Sequence, residues 1–288
     1  MSIALITGCS TGIGFATAVA MARAGHEIFA GMRNPGVSPE LSELAAAEKL
    51  PVSVIRLDVD SDESVRRAVE KVLATSGRID VLVNNAGIGG GGPVEESDIG
   101  LFRKVMETNF FGALRCTQAV LAGMRQQRSG HIVNISSVAG RIALSPQAPY
   151  ASSKWALEAM SEALAQEVRP FGIRVALIEP GVIATAIFGK VARREWSGNY
   201  PQTRRLLALF RASLQNPTPA SVVGDRIVEI VNHADPTLRH PVGPDAKGLI
   251  DWRSSMTDEQ WIERLGVESD EEWVRNIKHD LGIDVSLT

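Results

Sequence analysis

Tyr150-Ala151-Ser152-Ser153-Lys154 contains one of only two tyrosines in this 288-residue chain. Positions four apart share a helix face, so a helix here sets the phenol beside the ammonium. A free phenol, with a pKa of ~10, is a poor base at neutral pH; a nearby cation stabilises the phenolate and lowers that value. The pair therefore reads as an acid/base device. Asn134-Ile135-Ser136-Ser137 ends thirteen residues before Tyr150. A hydroxyl at Ser137, just beyond a strand, can donate to a carbonyl oxygen that is gaining negative charge. Asn109, in Thr108-Asn109-Phe110-Phe111-Gly112, falls inside a helix among apolar neighbours and needs partners if buried. Taken alone it reads equally as a satisfied core asparagine.

A second group handles anions. Thr7-Gly8-Cys9-Ser10-Thr11-Gly12-Ile13-Gly14 stands between a first strand and a first helix. Glycines let the backbone turn sharply and approach a pyrophosphate, and the helix start offers free N–H groups and a positive dipole end. A site for NAD usually carries Asp or Glu ~20 residues past such a loop to accept from the ribose 2′-hydroxyl. Here the second strand ends Ala30-Gly31-Met32-Arg33, with no carboxylate. The Arg33 guanidinium favours a 2′-phosphate, and Ser10 and Thr11 add hydroxyl donors. NADP(H) is the expected cofactor, with NAD(H) less favoured; the alternative is that Arg33 is a solvated loop residue.

These groups require a scaffold, and the chain alternates short β-branched runs with longer helical stretches. Strands are expected at 3–6, 26–30, 52–57, 80–83, 131–135, 173–178 and 239–242, and helices at 15–24, 40–49, 60–76, 98–127 and 150–168. This βαβ rhythm implies a parallel sheet covered on both faces. Non-alternating runs such as Val81-Leu82-Val83 fit strands buried on both sides. The expected fold class is α/β, a doubly wound parallel sheet in a single domain with a helical C-terminal extension. Residues 1–250 form the dinucleotide-binding catalytic unit in this reading and residues 251–288 the extension.

Composition narrows the function classes. Apolar residues make up 44% and charged residues 22%, values of a globular chain rather than a disordered or fibrous one. A formal net charge of −3 gives no global reason to expect nucleic acid as a partner. No apolar run approaches the ~20 residues of a membrane-spanning helix, and the N-terminus lacks signal-peptide character. Cys9 and Cys116 show no pairing pattern, so reduced thiols and a cytoplasmic location are expected. The five histidines lack metal-ligand spacing, so no metal is expected.

Together the motifs resemble the short-chain dehydrogenase/reductase family, in its single-domain branch with a T-G-x-x-x-G-x-G loop. The matching elements are residues 7–14, Asp58 after the third strand, Asn84-Asn85-Ala86-Gly87 after the fourth, Asn109, Ser137, Tyr150 with Lys154, and Pro180-Gly181-Val182-Ile183-Ala184-Thr185. The resemblance covers about residues 1–190. It implies a Rossmann-type fold and reversible hydride transfer between a nicotinamide and a carbonyl/alcohol pair. By the same resemblance Tyr150 is the acid/base, and Lys154 lowers its pKa and binds the nicotinamide ribose. Ser137 holds the carbonyl, and Asn109 anchors a water in a proton relay to Lys154. Gly8, Ser10, Thr11, Gly12, Ile13 and Gly14 cradle phosphate. Asp58 and Val59 meet adenine, Asn85, Ala86 and Gly87 line the cofactor, and Pro180, Gly181, Ile183 and Thr185 meet the carboxamide end. Relatives assemble as homodimers or homotetramers through the two long helices. Local strings, among them Gly92-Pro93-Val94-Glu95-Glu96 and Val242-Gly243-Pro244-Asp245-Ala246, are similar to the branch containing 17β-hydroxysteroid dehydrogenases, without establishing a steroid substrate.

The substrate end is expected in 188–214, which reaches over the cofactor as a lid. Phe188, Trp196, Tyr200, Leu206, Leu207 and Phe210 suggest a pocket for a hydrophobic ketone or secondary alcohol, or ordinary helix packing. The lid carries Lys190, Arg193, Arg194, Arg204, Arg205 and Arg211 against Glu195, whereas residues 251–288 hold ten acidic and four basic side chains. That opposition, with Trp252, Trp261 and Trp273 in the tail, suggests that the extension packs near the lid, in the same subunit or a neighbour. Two separate solvated faces are the alternative. An anionic acyl thioester substrate is a rival reason for the basic lid. The rival functions are a dinucleotide-sensing binding protein and an epimerase or dehydratase on the same fold.

Overall fold

Successive residues of a strand point to opposite faces of its sheet, and here both faces are apolar. In β1 (Ile3–Thr7), Ala4 and Ile6 enter one core cluster while Ile3 and Leu5 enter another. In β4 (Val81–Asn84), Val81 and Val83 join the first cluster and Leu82 the second. A sheet greasy on both sides needs helices on both sides. The computed structural model, which describes residues 1–185, 198–233 and 236–287, has that three-layer form.

Seven parallel strands run in the order β3-β2-β1-β4-β5-β6-β7. The remaining strands are β2 (Glu27–Met32), β3 (Val52–Arg56), β5 (Gly130–Ile135), β6 (Ile173–Pro180) and β7 (Arg239–Val242). One face is covered by α1 (Gly12–Arg23), α2 (Glu40–Glu48) and α8 (Ala220–Asn232). The other is covered by α3 (Asp62–Ser76), α5 (Gly112–Gln127) and α6 (Ala148–Val168). The strand order reverses between β1 and β4, and ligands of open α/β sheets bind at that switch, beyond the carboxyl ends of the strands.

Three differences from the sequence reading have physical reasons. Helix α1 starts at Gly12, ahead of the expected residue 15, because the chain turns into it at that glycine, whose φ is +62°. The long helix expected over 98–127 comprises α4 (Ile99–Met106), a π-helical turn (Glu107–Phe111) and α5. Such turns insert a residue and re-aim side chains, and Asn109 stands inside this one. Helix α8 was not expected. It lies so close to α1 that a Cβ on Gly224 would stand 2.9 Å from the Ala16 carbonyl oxygen.

After residue 197 come α7 (Gln202–Ser213), α8, β7 and then α9 (Ala246–Ser254), α10 (Asp258–Leu265) and α11 (Asp270–Leu281). The last two begin as the sequence suggests. Thr257 and Gln260 form a reciprocal capping box. The Ser269 hydroxyl accepts from the Glu272 amide.

Candidate active site

The phosphate loop is folded tightly onto the end of β4. Gly8 has φ +73° and lies against Ala86, where a Cβ would come within 2.8 Å of the Ala86 Cα. A Cβ on Gly14 would fall 2.3 Å from Asn85 Nδ2. Asn85 Nδ2 donates to the carbonyls of Thr7 (2.8 Å) and Gly8 (3.0 Å). Thr7 Oγ1 accepts from the amides of Asn85 (3.0 Å) and Ala86 (2.9 Å). Cys9 is buried as a free thiol, its Sγ donating to the Ile6 carbonyl, and burial pushes the thiol pKa up.

The loop opens onto the start of α1. Thr11 precedes that helix without a side-chain cap, and the first turn contains no acidic residue. The leading N–H groups therefore face a glycine-lined cradle as an anion site would require. Ser10 and Thr11 border it, and Ile13 packs inward. Thr185 reaches the loop from the other side, because a Cβ on Gly12 would lie 3.2 Å from its methyl. Arg33 follows β2 directly and is exposed, with no hydrogen bond or ion pair to another described residue. Asp58 follows β3 half-buried, and Val59 is buried against Gly112. These residues fit a dinucleotide.

The reacting groups converge beyond β5. Helix α6 carries Tyr150 and Lys154 on one face, with Lys154 Nζ 5.7 Å from the centre of the Tyr150 ring. Lys154 is buried and donates to the Ile135 carbonyl at 2.7 Å. Ser137 caps the turn after β5 and is hydrogen-bonded to the Tyr150 phenol. Asn109 Nδ2 donates to the Ile88 carbonyl (3.0 Å) and to Ser153 Oγ (3.0 Å), while its Oδ1 accepts from the Ile88 amide (2.8 Å). It thereby fastens the segment after β4, including Gly87 at its contact, to the helix that bears Lys154.

One expectation reverses. Lys154 was expected to make Tyr150 unusually acidic, yet burial raises the phenol's pKa, and the Ser137 hydrogen bond offsets this only in part. The ammonium is spent on the Ile135 carbonyl rather than on the phenol. Burial also lowers Lys154 to about 8, against the charge of Glu158, which raises it. The phenol thus holds its proton at neutral pH.

Beyond β6 the chain turns at Gly181, whose N–H donates to the Val242 carbonyl. Asp245 accepts from the Val182 amide at 2.8 Å and fills the space a Gly181 side chain would need. Ile183 is buried and bridges Thr218. Thr7 and Asp245 shape the site and were not singled out from the sequence, although both lie in motifs quoted there. The rim at 89–92 is packed. Gly90 is buried between Val105 and Pro149, and the Gly92 amide donates to the Pro146 carbonyl at 2.6 Å.

The C-terminal helices wrap α7. Arg205 is 1% exposed; it donates to Asp270 (2.9 Å) and to the carbonyls of Val267 and Glu268 (both 2.8 Å). Arg204 joins it on Asp270 at 2.7 Å. Trp252, Trp261 and Trp273 are buried with Leu209, Ile277 and Ile142, the last on the segment between Ser137 and Tyr150. Tyr200, just before α7, is hydrogen-bonded to Glu95 on the opposite rim. Phe188, Lys190, Arg193, Arg194, Glu195 and Trp196 lie outside the described residues. Among the described residues no helix is long and apolar enough to cross a membrane, and no group of three His, Cys, Asp or Glu side chains could hold a metal ion.

A glycine cradle at the sheet's switch point beside a Ser–Tyr–Lys cluster defines a dinucleotide-dependent oxidoreductase. The family model for short chain dehydrogenase matches residues 2–196, and the chain belongs to that family. It is 40% identical to human retinol dehydrogenase 8 over 253 residues, covering 82% of this chain and 79% of the relative. Among solved structures it is similar to a short-chain dehydrogenase from Streptomyces avermitilis, with 34% identity, a TM-score of 0.79, and coverage of 93% of this chain and 98% of that one. It is also similar to the actinorhodin polyketide ketoreductase with NADPH, with 27% identity, a TM-score of 0.76, and coverage of 85% and 97%.

Proposed function

We propose that this protein is an NADP(H)-dependent oxidoreductase acting on a hydrophobic ketone or secondary alcohol, with Tyr150 as its acid/base. The observation that carries the reading is a buried, protonated phenol hydrogen-bonded to Ser137 and one turn from a buried ammonium. A nicotinamide cofactor, when bound, supplies or accepts the hydride. The chain does the rest. Ser137 and Tyr150 orient a carbonyl oxygen, and Tyr150 gives it a proton as charge develops there. Lys154 offers a donor to the cofactor ribose. Asn109 has both amide hydrogens engaged and so positions the site, any relayed water being left to its surroundings. Asp58, Val59, Asn85, Ala86 and Gly87 line the adenine and ribose side, and Pro180, Gly181, Ile183 and Thr185 line the carboxamide end.

Arg33, with no protein partner among the described residues, supports NADP(H) over NAD(H). The ketoreductase relative was crystallised with NADPH. The relative named for retinol supports a hydrophobic substrate. Tyr150→Phe removes the proton donor but not the ring. It should abolish NADPH-linked turnover across a carbonyl panel while NADPH still binds; a variant that stays active refutes the mechanism. Net NADPH oxidation also separates this function from an epimerase, which returns its hydride. Phe111 in the π turn before α5 and Trp155 on α6, 42% and 50% exposed, support a homodimer or homotetramer through those helices. Trp155→Glu should then sediment as a smaller species than the wild type.

A further inference from the structure

We infer that Glu158 is a positioning residue: buried one turn beyond Lys154, its carboxylate keeps that ammonium charged in a site stripped of water. This deepens the reading of Tyr150 and Lys154 given above and rests on it.

Among the described residues the Lys154 ammonium donates to one acceptor, the Ile135 carbonyl. A carbonyl satisfies a donor but does not balance a buried charge. The carboxylate on the same face of α6 is Glu158, four residues on and 4% exposed. Its Oε2 accepts from Arg239 Nε at 2.9 Å, and its Oε1 has no partner. Glu179 on β6 is fully buried; its Oε1 meets Arg141 at 3.1 Å and lies 3.8 Å from Arg239, and its Oε2 has no partner. Arg239 also binds Glu162 at 2.6 Å. One arginine thus serves three carboxylates and cannot neutralise Glu158 alone.

The charged groups around Glu158 are Lys154 and Glu162 on its own helix, Arg141 on the turn after β5, Glu179 on β6 and Arg239 on β7. Arg103 and Lys104 on α4, which also packs against α6, are exposed to solvent. Burial and the neighbouring Glu158 charge raise the pKa of Glu179. Glycine at position 140 makes room for this arrangement. A Cβ there would come 3.3 Å from Glu158 Oε1 and 2.7 Å from Ser136 Oγ, another buried oxygen without a partner. The acidic pocket thus reaches the strand end that presents Ser137.

The test is the pH profile of carbonyl reduction by full-length Glu158→Gln. A field effect of this kind moves the alkaline limb of kcat/KM down by about one pH unit. Activity at pH 9 then falls about tenfold relative to wild type, whereas activity at pH 6 stays within about twofold. NADPH binding followed by fluorescence should lose affinity over the same alkaline range. Glu158→Asp restores the limb. Glu158→Ala, which leaves room for water, should reproduce the displacement if the glutamine variant does not fold. A purely structural Glu158 would lower activity equally at every pH or leave the limb in place, and either result overturns the inference. A wild type without turnover, or an active Tyr150→Phe variant, would instead overturn the parent reading.

Discussion

Arg205→Ala tests how firmly the C-terminal helices hold α7. The guanidinium is 1% exposed and makes three hydrogen bonds, to Asp270, Val267 and Glu268, while lying 5.8 Å over the Trp273 ring. Removing one partner of a buried ion pair costs about 3–5 kcal/mol. Asp270 keeps Arg204, and its side chain is 27% exposed, so water relieves part of the loss. The lower end, about 3 kcal/mol, is expected. A chain with the usual stability of about 5–15 kcal/mol survives that loss. The melting temperature should drop by roughly 6–12 °C at about 2–4 °C per kcal/mol. Thermal melts followed by circular dichroism, at low and high salt, read it directly. The loss should change little with salt because the pair is shielded. Arg205→Lys, a point charge that cannot span three acceptors, should recover less than half. A loss below about 1 kcal/mol, typical of a surface pair, would refute the reasoning.

Two further outcomes are expected. Arg33→Ala should weaken NADPH binding by about 1–3 kcal/mol and leave NADH nearly unchanged; equal losses in fluorescence titrations would remove the 2′-phosphate assignment. Lys154 titrates at about 8 when folded, against 10.5 in the unfolded chain. Between these values the unfolded chain binds a proton that the folded one lacks. Stability from Lys154 therefore rises with pH across that window, by up to about 3 kcal/mol. Urea unfolding between pH 8 and 10 should show a flatter pH dependence in Lys154→Met than in wild type.

The strands, the phosphate loop and the Tyr150–Lys154 pair were readable because each rests on local spacing. Helix α8 is equally periodic, with Val223, Ile227, Ile230 and Val231 on one face, but no capping side chain marks its start after Pro219. The π turn around Asn109 leaves no mark in local pattern, since the extra residue is stabilised by side-chain bonds to Ile88 and Ser153, distant in sequence. The sign of the Tyr150 shift was missed for a related reason. Helical spacing brings a cation near, but burial, a property of the whole fold, raises the phenol's pKa. The acidic tail and basic lid were visible as charge blocks. That Asp270 is where they meet depends on the tertiary path.

The wrapping of α7 by the final helices has a temporal consequence. Leu209 and the Trp273 that covers it are 64 residues apart in sequence. At about 5–20 residues per second, roughly 3–13 s of translation separate them. Through that interval the nascent chain carries an apolar helix whose cover has not been made. The cover of α7 is thus completed only after β7, the last strand among the described residues, has been synthesised.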